Sequence, residues 1–290
     1  MRKNLAFYLR NDIIKEITKE RDETAVKQYK GAIFCDIDGT LVDESEAIFI
    51  PTPKVRASLM QAKENGYLIG VATGRARCYI PDLQIDFDCY VSCNGAVAEV
   101  DGVCMFSDTI PEEDLQKIQA YMDSHGIGYS VENAEACYYS QTGVEEFLHV
   151  LDVFHMDKSV FFPLTSTVGM PVNKLMISFD SMEKYEGLVK EFGEKYLIPM
   201  HRNGLSADFG KRTISKASGI HAVIEKLGIP KENTYAFGDY DNDIEMLREV
   251  GHGIAMTPHS AKLDPVAEYI TKSVKEDGVY LGLKHYGLID

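Results

Sequence analysis

The 290-residue chain has no surplus of positive charge: 30 Lys plus Arg stand against 45 Asp plus Glu, a formal net charge of -15. Without a basic excess, long-range attraction to nucleic acid or to an anionic membrane is not expected, and a site for an anionic substrate needs local cations. No apolar run approaches the length of a bilayer-spanning helix. The Met1-Arg2-Lys3-Asn4 start leads into charged sequence rather than an apolar signal core. The six cysteines, Cys35, Cys78, Cys89, Cys93, Cys104 and Cys137, contain no Cys-x-x-Cys pair. Internal repeats and low-complexity segments are lacking too. A reduced, cytoplasmic enzyme or binding protein is expected, long enough for one large domain or two ordinary ones.

What is present begins with a buried run that stops at two acids. Ala32 to Cys35 has the continuous apolarity of a buried parallel strand, and Gly39 marks the turn beyond it in Asp36-Ile37-Asp38-Gly39-Thr40-Leu41. If strand geometry persists, Asp36 and Asp38 lean to the same side of the sheet edge. Two carboxylates so close require a cation beside them or one raised pKa, and both arrangements suit an anionic ester. An ordinary acidic turn has the same spelling, so this motif alone leaves both readings open.

Further polar residues fall at strand ends. Thr52-Pro53 opens a helix that carries Val55, Leu59 and Ala62 and stops at Gly66. Tyr67 to Ala72 follows as a second buried strand ending in Thr73-Gly74-Arg75, and the crossover brings Thr73 beside Asp36. Tyr90 to Ser92 is a third strand, and Val97 to Phe106 a hairpin turned at Asp101-Gly102. The pattern then changes to short strands and helices from Pro111 to Met200, with an irregular stretch from His155 to Val172, as in a separate α+β unit. Strand Leu205 to Phe209 leads to Ser215-Lys216 and a helix through Ile220, Ile224 and Leu227. Lys216 opposes the dipole of that first turn, so either a nearby anion or plain solvent exposure is expected. Thr234 to Phe237 then runs into Gly238-Asp239-Tyr240-Asp241-Asn242-Asp243. Acids crowded at a strand end imply a divalent cation with oxygen ligands, most simply Mg²⁺.

In order, Asp36 to Leu41, Ala72-Thr73-Gly74-Arg75, Ser215-Lys216 and Gly238 to Asp243 resemble the four motifs of the haloacid dehalogenase superfamily. Within it the chain is similar to the Cof-type phosphatases with a large α/β cap, and Cys93-Asn94-Gly95-Ala96 and Glu276-Asp277-Gly278-Val279 agree. The resemblance implies an α/β fold: a Rossmann-like, doubly wound parallel sheet core at residues 31–108 and 204–290, with an inserted α+β cap at 109–203. Residues 1–30 form an extension outside it, with Leu9, Ile13, Ile14 and Ile17 spaced as one face of a helix.

The same resemblance implies a Mg²⁺-dependent phosphatase acting on a small phosphate ester such as a sugar phosphate. Asp36 would be the nucleophile and become an aspartyl phosphate; Asp38 would serve as acid and then base, with its backbone carbonyl on the metal. Asp36 and Asp239 would supply metal carboxylates, with Asp243 as a ligand or helper. Thr73 and Lys216, the amides of Ile37 and Gly74 and the side chain of Asn242 would hold the phosphoryl oxygens. The cap would choose the substrate, with residues 155–172 and His201-Arg202 as candidate contacts. Where the family often continues with Gly-Asn-Ala after Ala255-Met256, Thr257-Pro258-His259-Ser260 stands. No nucleic-acid or membrane partner is expected, and a homo-oligomer is left open. A phosphomutase shares all four motifs; a dehalogenase is disfavoured by Asp38, and a transport ATPase by the lack of membrane spans. A silent phosphate-ligand sensor would be expected to have lost Asp36, Asp38 or Asp239.

Overall fold

The computed structural model describes residues 28–201 and 203–290. The helix expected around Leu9 to Ile17 lies outside the described residues, as does Arg202. The chain begins β1 (Gly31–Cys35), α1 (Pro53–Glu64), β2 (Tyr67–Ala72), β3 (Cys89–Ser92), β4 (Val97–Val100) and β5 (Val103–Ser107). It continues through α2 (Glu112–His125), β6 (Gly128–Glu132), β7 (Cys137–Tyr139), α3 (Val144–Val153), β8 (Phe161–Pro163), β9 (Lys174–Ser178), α4 (Met182–Phe192), β10 (Tyr196–Leu197) and β11 (Ser206–Lys211). It closes with α5 (Lys216–Leu227), β12 (Thr234–Gly238), α6 (Ile244–Glu249), β13 (His252–Ala255), β14 (Tyr269–Ile270) and α7 (Gly278–His285).

Eight strands form the first sheet in the order β14-β13-β12-β1-β2-β3-β4-β5, parallel from β14 to β3 and antiparallel over the β3-β4-β5 meander. β1 is apolar at every position because it is covered on both faces. Ile33 and Cys35 pack with Val55 and Leu59 of α1 and Val279 and Leu283 of α7. Ala32 and Phe34 face the other way, onto Ile220, Val223 and Ile224 of α5 and Met246 and Leu247 of α6. The core is therefore a doubly wound α/β sheet, as the family resemblance implies.

The second sheet has the order β10-β11-β9-β6-β7-β8. One face is apolar: Tyr129, Val131, Leu175, Ile177 and Phe209 pack on Leu115, Ile118 and Met122 of α2 and Leu188 of α4. The alternate positions include Glu132, Lys174 and Asp208, which carry charge into the space toward the first sheet. A separate apolar cluster joins the two units, with Ala76, Tyr79, Cys93 and Val97 from the first meeting Cys137, Phe147, Leu151, Phe161 and Met176 from the second.

Two expectations need correction. The sequence reading returns the chain to the first sheet at residue 204, but β11 pairs antiparallel with β9, with Ala207 opposite Ile177. Ala207 and Phe209 alternate into the second sheet's apolar cluster, which holds the strand there. The stretch expected to be irregular contains β8, parallel to β7, where Phe161 is buried against Tyr79 and Phe147. Among the described residues, no helix is long and apolar enough to cross a membrane.

Candidate active site

The parallel register brings the chemistry to one sheet edge. Cys35 lies opposite Val71 on β2 and Phe237 on β12, and the Asp36 amide donates to the Phe237 carbonyl at 2.9 Å. Asp36, Thr73 and Asp239 therefore leave neighbouring strands at their carboxyl ends, where ligands of open α/β sheets collect.

Three of the expected acids converge. One carboxylate oxygen from each of Asp36, Asp239 and Asp243 lies within 4.8 Å of the others, and all three residues are buried. Lys216 reaches into this group, donating to Asp36 Oδ1 at 2.6 Å and to Asp243 Oδ1 at 2.7 Å. Asp243 Oδ2 accepts from the amides of Asp239 and Tyr240, at 2.9 and 3.1 Å, which orients this carboxylate inside its own turn. Burial works against the Lys216 charge, yet Asp243 and Asp36 outweigh it and raise the lysine above its ordinary range. Burial also pushes the Asp36 carboxyl well up, with Lys216 opposing and Asp243, Asp239 and Asp38 reinforcing the rise. One ammonium among three buried carboxylates leaves negative charge in excess. A hard divalent cation with oxygen ligands fits that donor set.

Two glycines make the approach possible. Gly39 has φ +92°, and a Cβ there would stand 2.3 Å from Asp239 Oδ2. Gly95, also at φ +92°, lies so close to the start of α5 that a Cβ would meet the Ser215 carbonyl at 1.9 Å. That contact, with the Ser215–Ser218 capping box, fixes the turn from which Lys216 projects.

The remaining expected residues sit around the cluster rather than in it. The Asp38 carboxylate is half exposed and is held by Arg75, through Nε at 3.0 Å and Nη2 at 2.7 Å. Ile37 is buried, and its carbonyl takes the amides of Leu41 at 2.9 Å and Val42 at 3.0 Å, closing the turn after Asp36. Thr73 is buried, and its hydroxyl accepts from the Arg75 amide at 3.2 Å. A Cβ on Gly74 would lie 3.0 Å from Asn94 Oδ1, so the backbone at Gly74 runs close against that amide. Asn242 is exposed and donates to the same Asn94 Oδ1 at 3.4 Å.

Asn94 is the site-lining residue that the sequence reading mentions only as a minor agreement. It sits at φ 53°, and its Nδ2 donates to Asp208 Oδ2 on β11 at 2.7 Å, spanning the two units. Asp208 in turn accepts from Lys174 at 2.6 Å, and Lys174 lies 3.2 Å from the buried Glu132. The signal for Asn94 is local, an Asn-Gly at a strand end; Glu132, Lys174 and Asp208 have no local signal because their partners are remote in sequence. His201 lies 3.4 Å from Asp208 through Nε2. The segment that departs from the family pattern also touches the acid loop: Ser260 donates its amide to the Asp239 carbonyl at 2.8 Å and its hydroxyl to Asp241 at 2.5 Å.

Comparison with known proteins agrees with this architecture. Residues 33–283 match the family model of haloacid dehalogenase-like hydrolases. YkrA of Bacillus subtilis strain 168 is 30% identical over 89% of this chain and 98% of its own length. From the same strain, the 5-amino-6-(5-phospho-D-ribitylamino)uracil phosphatase YwtE is 25% identical over 85% of this chain and 94% of its own length. The solved structure of a HAD subclass IIB sugar phosphatase superposes with a TM-score of 0.74 at 27% identity, covering 89% of this chain and all of that one. The chain belongs to the haloacid dehalogenase-like hydrolase family. It is a hydrolase of the phosphatase kind, of the Cof type.

Proposed function

We propose that this protein is a Mg²⁺-dependent phosphatase for a small phosphorylated metabolite, with sugar phosphates as the leading class, working through an aspartyl phosphate on Asp36. The observation that carries the reading is the convergence of the Asp36, Asp239 and Asp243 carboxylates within 4.8 Å at the carboxyl ends of β1 and β12. Asp36 and Asp239 would hold the ion with the Asp38 carbonyl, and Asp243 would hold it or steady Lys216 beside it. When bound, the ion offsets the repulsion between the attacking carboxylate and the phosphate ester.

Asp36 attacks phosphorus, and the bond from phosphorus to the leaving oxygen breaks. Asp38 gives that oxygen its proton. Its half-exposed position, on the solvent side of the buried acids, suits a group that must exchange protons with substrate and water. Water then attacks the phosphorus of the aspartyl phosphate and gives a proton to Asp38; the bond from phosphorus to the Asp36 oxygen breaks, and phosphate leaves with the Asp36 carboxylate restored. Lys216 and Thr73, with the amides of Ile37 and Gly74 and the side chain of Asn242, receive the phosphoryl oxygens. The second unit acts as a cap: its polar face, with Glu132, Lys174 and Asp208, looks toward the catalytic edge, and Asn94 ties it there. The sugar-phosphate preference draws on the named sugar phosphatase among the structural relatives.

Phosphate release from a panel of phosphorylated sugars, nucleotides and cofactors, with Mg²⁺ and with EDTA, tests this. Release is expected only with the metal and is abolished in Asp36→Asn. A folded, metal-binding protein that releases phosphate from no member of the panel overturns it.

A further inference from the structure

Cys78 and Cys137 belong to different units and are in contact. Cys78 lies in the turn Arg77–Tyr79, a few residues beyond the Thr73-Gly74-Arg75 strand end, whereas Cys137 opens β7 of the second sheet. Their Sγ atoms are 3.0 Å apart, and both are free thiols. A disulfide requires about 2.05 Å, so the sulfurs need to approach by only about 1 Å. Cys78 is half-buried and open to a small oxidant, while Cys137 is enclosed by the apolar cluster that joins the units. Cys35, Cys89 and Cys93 are buried, and Cys104 is exposed at a distance in the β4-β5 hairpin.

We propose that Cys78 and Cys137 are a redox pair, closed by peroxide into a reversible disulfide that fastens the second unit onto the first and halts turnover. The locking part rests on the reading that the second unit is a moving cap; the pairing itself does not.

The chemistry balances with hydrogen peroxide as oxidant. The Cys78 thiolate attacks one peroxide oxygen, the O–O bond breaks, and hydroxide leaves and takes the thiol proton as water. Cys78 is then a sulfenic acid. The Cys137 sulfur attacks the Cys78 sulfur, the S–S bond forms, and the S–O bond breaks. Hydroxide departs with the Cys137 proton as a second water. Both sulfurs are oxidised and the peroxide is reduced; a thiol reductant reverses the product by exchange. The contact with Cys137 also holds the Cys78 thiol below its usual range, so Cys78 is the first nucleophile.

The mechanical consequence follows from connectivity. The chain passes between the units twice, between β5 and α2 and between β11 and α5. A hinge through two crossings permits opening; a covalent link at a third point, where Ile214 of the second crossing packs on the same cluster, removes that freedom. Cys78 also shares its loop with Arg75, which holds Asp38.

The test treats the full-length Mg²⁺-loaded protein with hydrogen peroxide and analyses the unreduced digest by mass spectrometry. Turnover and amide hydrogen exchange across residues 108–111 and 212–215 are followed in parallel. The expected results are a linked Cys78–Cys137 peptide, slowed exchange at both crossings, at least about a tenfold loss of turnover, and recovery of all three with a thiol reductant. Cys78→Ser and Cys137→Ala, two independent variants, should form no such link and keep their turnover in peroxide. Linkage of Cys78 to Cys93, or over-oxidation of Cys78 without any link, overturns the pair. A linked protein with unchanged exchange and turnover overturns the lock. If the untreated protein hydrolyses no phosphate ester, the proposed function fails, while the peptide and exchange readouts still decide the pair and the lock.

Discussion

Lys216 Nζ donates to Asp36 Oδ1 over 2.6 Å, with the lysine side chain wholly out of solvent and the carboxylate nearly so. The relationship joins the start of α5 to the end of β1, and it is shared, because Asp243 accepts a second hydrogen bond from the same ammonium. Lys216 is thus the cation inside the buried cluster of Asp36, Asp239 and Asp243.

Removing that cation should destabilise the fold when no metal is present. Lys216→Met leaves buried acids uncompensated, at a cost of about 3 kcal/mol or more. Added Mg²⁺ should restore much of the loss, because it supplies the missing charge. Urea unfolding with Mg²⁺ and with EDTA measures both effects; an equal loss in the two conditions contradicts the account.

On the proposed metal site, Mg²⁺ should raise the melting temperature of the unmodified protein, since a ligand of the folded cluster alone stabilises the folded state. At a hundred times its dissociation constant, the gain is about 2.7 kcal/mol. Asp239→Asn should remove most of this gain while leaving the metal-free melting temperature unchanged or higher, because one of three crowded carboxylates is gone. Calorimetry in EDTA and in Mg²⁺ reads the difference directly.

Asp38→Asn should separate the two chemical steps. An aryl phosphate with a good leaving group needs little protonation, so its first step persists, whereas hydrolysis of the aspartyl phosphate loses its base. A burst of phenolate equal to the enzyme concentration, followed by turnover slowed about a hundredfold or more, is expected in rapid-mixing absorbance measurements. Equal slowing of burst and turnover would argue against this assignment.

The charged cluster of the second sheet predicts a pH effect. Burial opposes the Asp208 charge, but Lys174 and then His201 outweigh it and hold the carboxyl below the ordinary range. Its stabilising contribution is therefore present above the pKa of an unfolded Asp and is lost as pH falls toward the lower folded value. Burial raises Glu132 instead, so its share has the opposite sign and destabilises as pH rises past the unfolded Glu value. Lys174→Met should cost about 3–5 kcal/mol at neutral pH. The deficit should shrink as pH falls through the carboxylate range, where the orphaned acids take protons; denaturant melts at several pH values follow it.

Much of the core was legible because its signals are local. β1, β2 and β12 are unbroken apolar runs that end at Asp36, Thr73 and Gly238, and Gly228 closes α5 in the left-handed region expected of a stop. The acids at the strand ends were legible as a group for the same reason, since parallel pairing delivers all those ends to one edge. The strands β8 and β11 were not placed by local pattern. β8 is three residues long, and β11 joins the second sheet only because Ala207 and Phe209 find its apolar cluster.

By itself, the sequence determined the buried strands of the core, the order of the four motifs and the crowding of acids at the strand ends, because burial periodicity and strand-end turns are encoded over a few residues. Tertiary structure alone decided which groups meet across long separations. It showed that the anions beside Lys216 are Asp36 and Asp243, that Asn94 reaches Asp208 in the other unit, and that Cys78 touches Cys137. Those pairings depend on how two sheets dock, and docking is set by the summed burial of many side chains rather than by any short stretch of chain.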